Sequence, residues 1–107
     1  MAKNEHLGEF EQLALLAVLR LGKDAYGARI QEELDRTAGR STAISSIYIT
    51  LTRLESKGLV RSDMNAPNGG RPRRYFRLEP DGVRALKASR DALLSMWDGV
   101  ESELETV

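Results

Sequence analysis

Apolar residues recur at helical spacing in four stretches of the chain, and one stretch between the third and fourth alternates instead. Residues 8–21 predict a first helix, with Phe10, Leu13, Ala14, Ala17 and Leu21 on one stripe and Leu16 and Leu19 widening it beyond a single face. A helix this apolar in a small domain buries two sides, one in its own core and one against a partner. Gly22 supplies a left-handed stop. Asp24 is placed to cap a second helix over residues 25–38, ended by Gly39, with Tyr26, Ile30 and Leu34 inward and Arg29, Glu32, Glu33 and Arg36 outward. The turn Arg40-Ser41-Thr42-Ala43 leads to a third helix, capped by Thr42 or Ser45, of which Ser45 is preferred. Its buried stripe is Ile44, Ile47, Tyr48, Leu51 and Leu54, and Gly58 ends it at C′ with Leu59 folding back on Leu54.

Two strands are predicted next, over residues 59–64 and 73–78. Asn68-Gly69-Gly70 forms the turn, and Pro67 and Pro72 stop the loop from lengthening either strand. A last helix opens at Pro80, a favoured first position, and runs to about Val100. Along it Val83, Leu86, Arg90, Leu93, Trp97, Val100 and Leu104 are spaced 3, 4, 3, 4, 3, 4, a heptad seam interrupted once by Arg90. The fold class expected is mainly α with a small β-hairpin: a winged helix-turn-helix plus a long C-terminal helix. Residues 1–78 form the winged helix-turn-helix domain in this reading and residues 79–107 a dimerisation helix. The surface joining two subunits is expected to comprise Phe10, Leu13, Leu86, Leu93, Met96, Trp97 and Val100.

At 107 residues the chain makes one domain. It has no cysteine, hence no disulfide framework and no thiolate metal site, which fits a reducing interior. Lys3 is followed by polar Asn4, Glu5 and His6, unlike a secretory leader, and no apolar run approaches the ~20 residues of a membrane span. A cytoplasmic protein without a membrane partner is expected. Net charge is zero, but its distribution is uneven. Residues 61–77 hold five arginines against one acid, and residues 91–107 hold five acids and no base. The local field that phosphates feel is therefore strongly positive at the hairpin.

These features point to double-stranded DNA. In a helix-turn-helix the third helix enters the major groove, its N-terminal residues at base edges. With the apolar stripe buried, Ser45, Ser46, Ile49, Thr50, Thr52, Arg53, Ser56 and Lys57 face outward. Short serines and threonines allow close approach, Arg53 offers the long bidentate donor, and Ile49 suits a thymine methyl. Tyr48 belongs to the stripe, yet its hydroxyl can emerge at a phosphate. Gly-Arg-Pro at 70–72 resembles the core of an AT-hook, and Arg71 is the first candidate for insertion into a narrow minor groove. Arg73 and Arg74 alternate across the strand, so only one of them faces the duplex. The DNA-contacting set is thus Ser45, Ser46, Tyr48, Ile49, Thr50, Arg53, Lys57, Arg71, Arg73 and Arg74. No catalytic, cofactor or metal constellation is read: His6 stands alone, Gly22-Lys23 lacks the rest of a phosphate loop, and Glu101, Glu103 and Glu105 spread around a helix. The rival reading is a small-molecule sensor or protein-binding winged helix with weak DNA affinity, which has no need of the arginine-rich wing.

The segments Leu7–Leu13, Asp24-Ala25-Tyr26-Gly27, Ser46–Val60 and Arg73–Leu78 resemble the PadR-like transcriptional regulators, over about residues 7–98. The run Tyr-x-x-Leu-x-Arg-Leu-Glu-x-x-Gly-Leu followed by Arg-x-Tyr-x-Leu carries most of the likeness. The resemblance implies a homodimeric repressor on a pseudo-palindromic operator, with the first and last helices joining subunits and the third helix and wing on DNA. It also implies the short branch, since the large C-terminal domain of phenolic-acid-responsive members is absent; any aromatic effector would then bind at the dimer interface, where Trp97 packs between subunits or stacks on such an effector, of which packing is preferred. Glu79-Pro80 stands where the family often has Thr-Pro, so the last helix lacks a good cap.

Overall fold

The computed structural model describes residues 6–106; residues 1–5, on which the expectation of a leaderless N-terminus rests, and Val107 lie outside it. In chain order the elements are α1 (Glu9–Leu21), a 3-10 turn (Gly22–Asp24), α2 (Gly27–Ala38), α3 (Ile44–Ser56), β1 (Val60–Asn65), β2 (Arg73–Leu78), α4 (Pro80–Trp97) and α5 (Glu101–Leu104). This is the mainly helical fold with one antiparallel hairpin that the periodicity predicts. Leu15, Val18, Ile30, Ile47, Leu51, Leu54, Val60 and Phe76 are its largest fully buried side chains, so three helices and the hairpin share one core.

The inward face of α1 is Ala14, Leu15, Ala17 and Val18, while Leu16 and Leu19 are exposed. Gly22 has positive φ but an extended ψ of −123°, so α1 ends in the 3-10 turn and not in a left-handed stop. Asp24 lies within that turn and caps nothing. α2 starts two residues later than expected because Ala25 and Tyr26 are claimed by the sheet. The Phe76 amide donates to the Ala25 carbonyl at 2.9 Å, and Tyr26 bridges Tyr75, forming a one-residue third strand. Extended backbone at Tyr26 excludes helix there.

Glu33, expected outside, is only 5% exposed. Arg20 Nε and Thr37 Oγ1 each donate to Oε2 at 2.7 Å, and Arg36 Nη2 to Oε1 at 2.8 Å. These donors are what make burial of a carboxylate tolerable. The Thr37 hydroxyl first, then Arg20, hold the carboxyl below the usual carboxylate range, against burial that would raise it.

α3 is preceded by Ala43 in extended conformation and has no side-chain cap, so neither Ser45 nor Thr42 plays that part. The Thr42 carbonyl instead accepts from Gln31 Nε2 at 2.8 Å, tying α2 to the turn. Ile44 is exposed, and the buried line runs Ile47, Thr50, Leu51, Leu54. At the far end Gly58, with φ 78°, closes the helix as expected: its amide donates to the Glu55 carbonyl at 2.9 Å and the Leu59 amide to the Leu54 carbonyl at 3.0 Å. Leu59 is spent on this stop, so β1 begins at Val60. The strands pair Val60 with Leu78 through Asn65 with Arg73.

α4 starts at Pro80 without a side-chain cap. The Glu79 amide donates to the Leu59 carbonyl at 2.9 Å, and Gly82 packs so closely that a Cβ there would lie 2.1 Å from the same oxygen. Leu86 is buried in its own subunit's core, so it is not free to form a dimer surface. α4 stops at Trp97, short of Val100, because Gly99 takes φ 85°. The seventh-residue seam is therefore broken, and Val100 and Leu104 leave its line.

Two outcomes follow from these contacts. Gly82→Ala forces the Leu59 backbone aside and lowers stability by about 1–3 kcal/mol in urea unfolding. Glu33→Gln is less stable than the parent at neutral pH. Because the folded pKa is depressed, the parent's advantage is full above the unfolded value of about 4.3 and fades as pH falls through the folded one, so the two thermal midpoints converge in acid.

Candidate nucleic-acid interface

α3 and the hairpin form one unit. Glu55, near the end of α3, accepts from the Ser62 amide at 3.2 Å, from Ser62 Oγ at 3.0 Å and from Arg74 Nη2 at 2.9 Å, while Arg74 Nε donates to Ser62 Oγ at 3.0 Å. One carboxylate thus ties the helix to both strands. Alternation in the register puts Ser62 and Arg74 on the face toward α3, with Arg61, Asp63, Arg73, Tyr75 and Arg77 on the other. The front of α3 is fixed from behind as well, since the Tyr48 hydroxyl rests on Gly27, where a Cβ would be 2.4 Å away.

Of the residues expected at DNA, Ser45, Ser46, Ile49 and Arg53 are exposed on α3; Ile49, 59% exposed, has no apolar contact to hide in. Thr50 is 7% exposed and points into the core, which corrects its assignment to the outer face. Tyr48 is half-buried, its ring 6.1 Å from that of Phe76. Lys57 lies just past the helix, 3.7 Å from the Glu11 carboxylate. Arg71 is exposed in the connecting loop. Arg73 lies over the Tyr26 ring at 4.2 Å, which orients the guanidinium without neutralising it. Arg74 is committed to Glu55 and Ser62, so the alternation of Arg73 and Arg74 sends them to different tasks.

The charges divide by element. Arg20, Arg29, Arg36, Arg40, Arg84 and Arg90, on or beside α1, α2 and α4, are each held by a carboxylate. Arg53, Arg61, Arg71, Arg73 and Arg77 form no ion pair among the described residues, and all lie on α3 or the hairpin. Arg61 and Arg77 are not in the DNA-contacting set expected from the sequence, although their place in the strands is visible there. α3 lacks the expected side-chain cap; with Ala43 in front, the Ile44 and Ser45 amides find no acceptor among the described residues. Uncapped amides at a helix start favour an anion. Among the described residues no helix is long and apolar enough to cross a membrane.

Residues 15–88 match the model of the "Transcriptional regulator PadR-like family". The chain is similar to the transcriptional regulator Rv3488 of Mycobacterium tuberculosis, 38% identical over an 88-residue alignment that covers 79% of this chain and 80% of the relative. Among solved structures it is similar to a PadR family transcriptional regulator from Eggerthella lenta, with a TM-score of 0.64 and 30% identity over 90% of this chain and 87% of the other. It shares its fold with Bacillus subtilis PadR in complex with operator DNA, at a TM-score of 0.63 and 22% identity, covering 75% of this chain and 46% of that one.

The Glu55 tie has a measurable consequence. Arg74→Met lowers stability by about 1 kcal/mol in urea unfolding, as expected for a half-exposed charged pair, whereas Arg71→Ala leaves the unfolding curve unchanged.

Proposed function

Because the chain belongs to the PadR-like family of transcriptional regulators, whose members are DNA-binding proteins and not enzymes, we propose that it is a cytoplasmic repressor reading a pseudo-palindromic operator as a homodimer. The observation that carries this reading is the confinement of the unpaired arginines to α3 and the hairpin, on a chain whose net charge is zero. Among the described residues every arginine outside this region is matched by a carboxylate, so phosphates are attracted here in preference to the rest of the surface.

Each subunit lays the first turns of α3 in a major groove. Ser45 and Ser46 approach backbone or base edges, Ile49 meets a thymine methyl, and Arg53 reaches a guanine or a phosphate. Arg71 enters the adjacent minor groove, and Arg73, braced on Tyr26, stands at its edge. Tyr48 keeps its ring in the domain. The operator DNA bound by the Bacillus subtilis protein of the same fold supports this arrangement. Two copies join through the outer part of α4, where Leu93, Met96 and Trp97 are exposed, together with the Phe10 and Leu13 side of α1. Trp97 in the same seam is the natural plate for a flat aromatic effector.

Binding to fragments selected from genomic DNA tests the reading. Arg53→Ala should cost ~1–3 kcal/mol and relax preference at one operator position if it bonds a base, or reduce the salt slope by about 0.9 if it bonds a phosphate. Arg71→Ala should weaken binding most on A·T-rich flanks. Should both variants bind as tightly as the parent, the DNA face is elsewhere. Leu93→Asp should shift the sedimenting species toward monomer; an unaltered dimer would place the two-fold contact away from α4.

A further inference from the structure

A groove of about 500 Å³ opens between the end of α1, the outer face of the hairpin and the start of α4. Leu19, Leu78 and Val83 line it, and Lys23 and Arg77 stand at its rim with Asp63 as the acid among them. Arg61 lies directly across the strands from Arg77. Like charges in opposed positions of a hairpin repel, so this pair calls for an anion. The DNA contacts proposed for the hairpin, Arg71 and Arg73, lie at its loop end, whereas Arg61 and Arg77 pair at its base on the face turned away from α3, so DNA on α3 does not supply it.

An unmatched anion exists in the same chain. Every described residue from Asp91 onward is exposed. Asp98, Glu101, Glu103 and Glu105 form no ion pair among the described residues, and Val100 and Leu104 are exposed beside them. This segment carries the two things the groove lacks, apolar cover and negative charge. It does not reach its own groove: α4 begins three residues after Arg77 and carries the chain about 27 Å away over 18 residues.

We propose that the Val100–Glu105 segment of one subunit docks in this groove of a second copy of the chain, with Val100 and Leu104 on Leu19 and Val83 and the glutamates on Lys23, Arg61 and Arg77. The inference rests on the homodimer reading and gives it an orientation. A two-fold axis perpendicular to α4 makes the helices antiparallel, which brings the end of each to the start of the other. Charge favours that sense: Lys87, which forms no ion pair among the described residues, lies in the first half of α4, and Asp98, likewise without one, lies just past its end, whereas Arg84 and Arg90 are matched by Asp81 and Asp91. Antiparallel pairing sets unlike charges face to face, and parallel pairing stacks like on like.

Sedimentation equilibrium of the full chain at low salt tests the docking with two proteins, Arg77→Glu and the triple variant Glu101→Lys/Glu103→Lys/Glu105→Lys. Each is expected to dimerise roughly tenfold more weakly, since two symmetry-related contacts each lose about threefold. The difference from the parent should shrink at 0.5 M salt. Mixing the two variants is decisive. In the heterodimer one groove and tail are both reversed and the other groove and tail are both native, so association returns to the parental level. Failure of the mixture to recover overturns docking in trans. Variants that dimerise as tightly as the parent overturn the docking and leave the α4 dimer standing, whereas a monomeric parent overturns both.

Discussion

The exposed face of this protein depends on one stop, the turn at Gly58. There the last carbonyls of α3 are taken by the Gly58 and Leu59 amides, and the chain leaves the helix along a single path into β1. Glu55 reinforces that path by accepting from Ser62 and Arg74 on the two strands. The Leu59 carbonyl then receives the Glu79 amide, so the turn that ends α3 also seats the start of α4. Helix, wing and C-terminal helix are set by a handful of consecutive hydrogen bonds. A side chain at Gly58 would need a left-handed conformation, and one at Gly82 would meet the Leu59 oxygen.

That rigidity gives meaning to the partition of charge. An arginine held by a carboxylate in its own subunit has little attraction left for phosphate, since binding would trade one partner for another. On α1, α2 and α4 the trade is already made, as at Glu33, where two arginines converge on one carboxylate. Among the described residues, of the arginines on α3 and the hairpin only Arg74 is so occupied, and its pairing holds the frame on which Arg53, Arg71 and Arg73 are displayed. A chain of zero net charge thus retains a basic face, and net charge alone would have misjudged it.

What was legible in the sequence was local. Gly58-Leu59 after an apolar stripe and Pro80 after the second strand each act within a few residues of themselves and are where pattern and turn chemistry put them, while the hairpin loop turns one step earlier than Asn68-Gly69-Gly70, over Ala66–Gly69, with Gly69 at positive φ. The misjudged positions answer to distant partners. Glu33 is buried because Arg20, thirteen positions earlier, lies over it. Ala25 and Tyr26 leave the helix because β2, fifty positions later, needs a neighbour. Thr50 was assigned outward by residue type, but it lies between Ile47 and Leu54 on the inward side, where a helical period of 3.6 puts it. Leu86 was claimed for a dimer by its seam position, although the same side chain closes the subunit's own core. A heptad read without the core it must also serve overstates the interface.

The break at Gly99 alters what the end of the chain can do. On an unbroken α4, Val100 and Leu104 would extend the line of Leu93 and Trp97, and the glutamates would be distributed around the same rod. With Gly99 at positive φ, the chain turns out of that line after Trp97. The apolar positions before the break and the acidic, partly apolar positions after it then face different surroundings. In the proposed dimer the first part would pair with its copy across the two-fold axis, while the second would be released toward whatever lies beside the start of the partner helix. Since Gly82 and Leu86 fix that start on the subunit core, the surroundings met there include the base of the wing. In the proposed dimer the relative orientation of the two α3 helices would thereby be coupled to the charge of a segment remote from them.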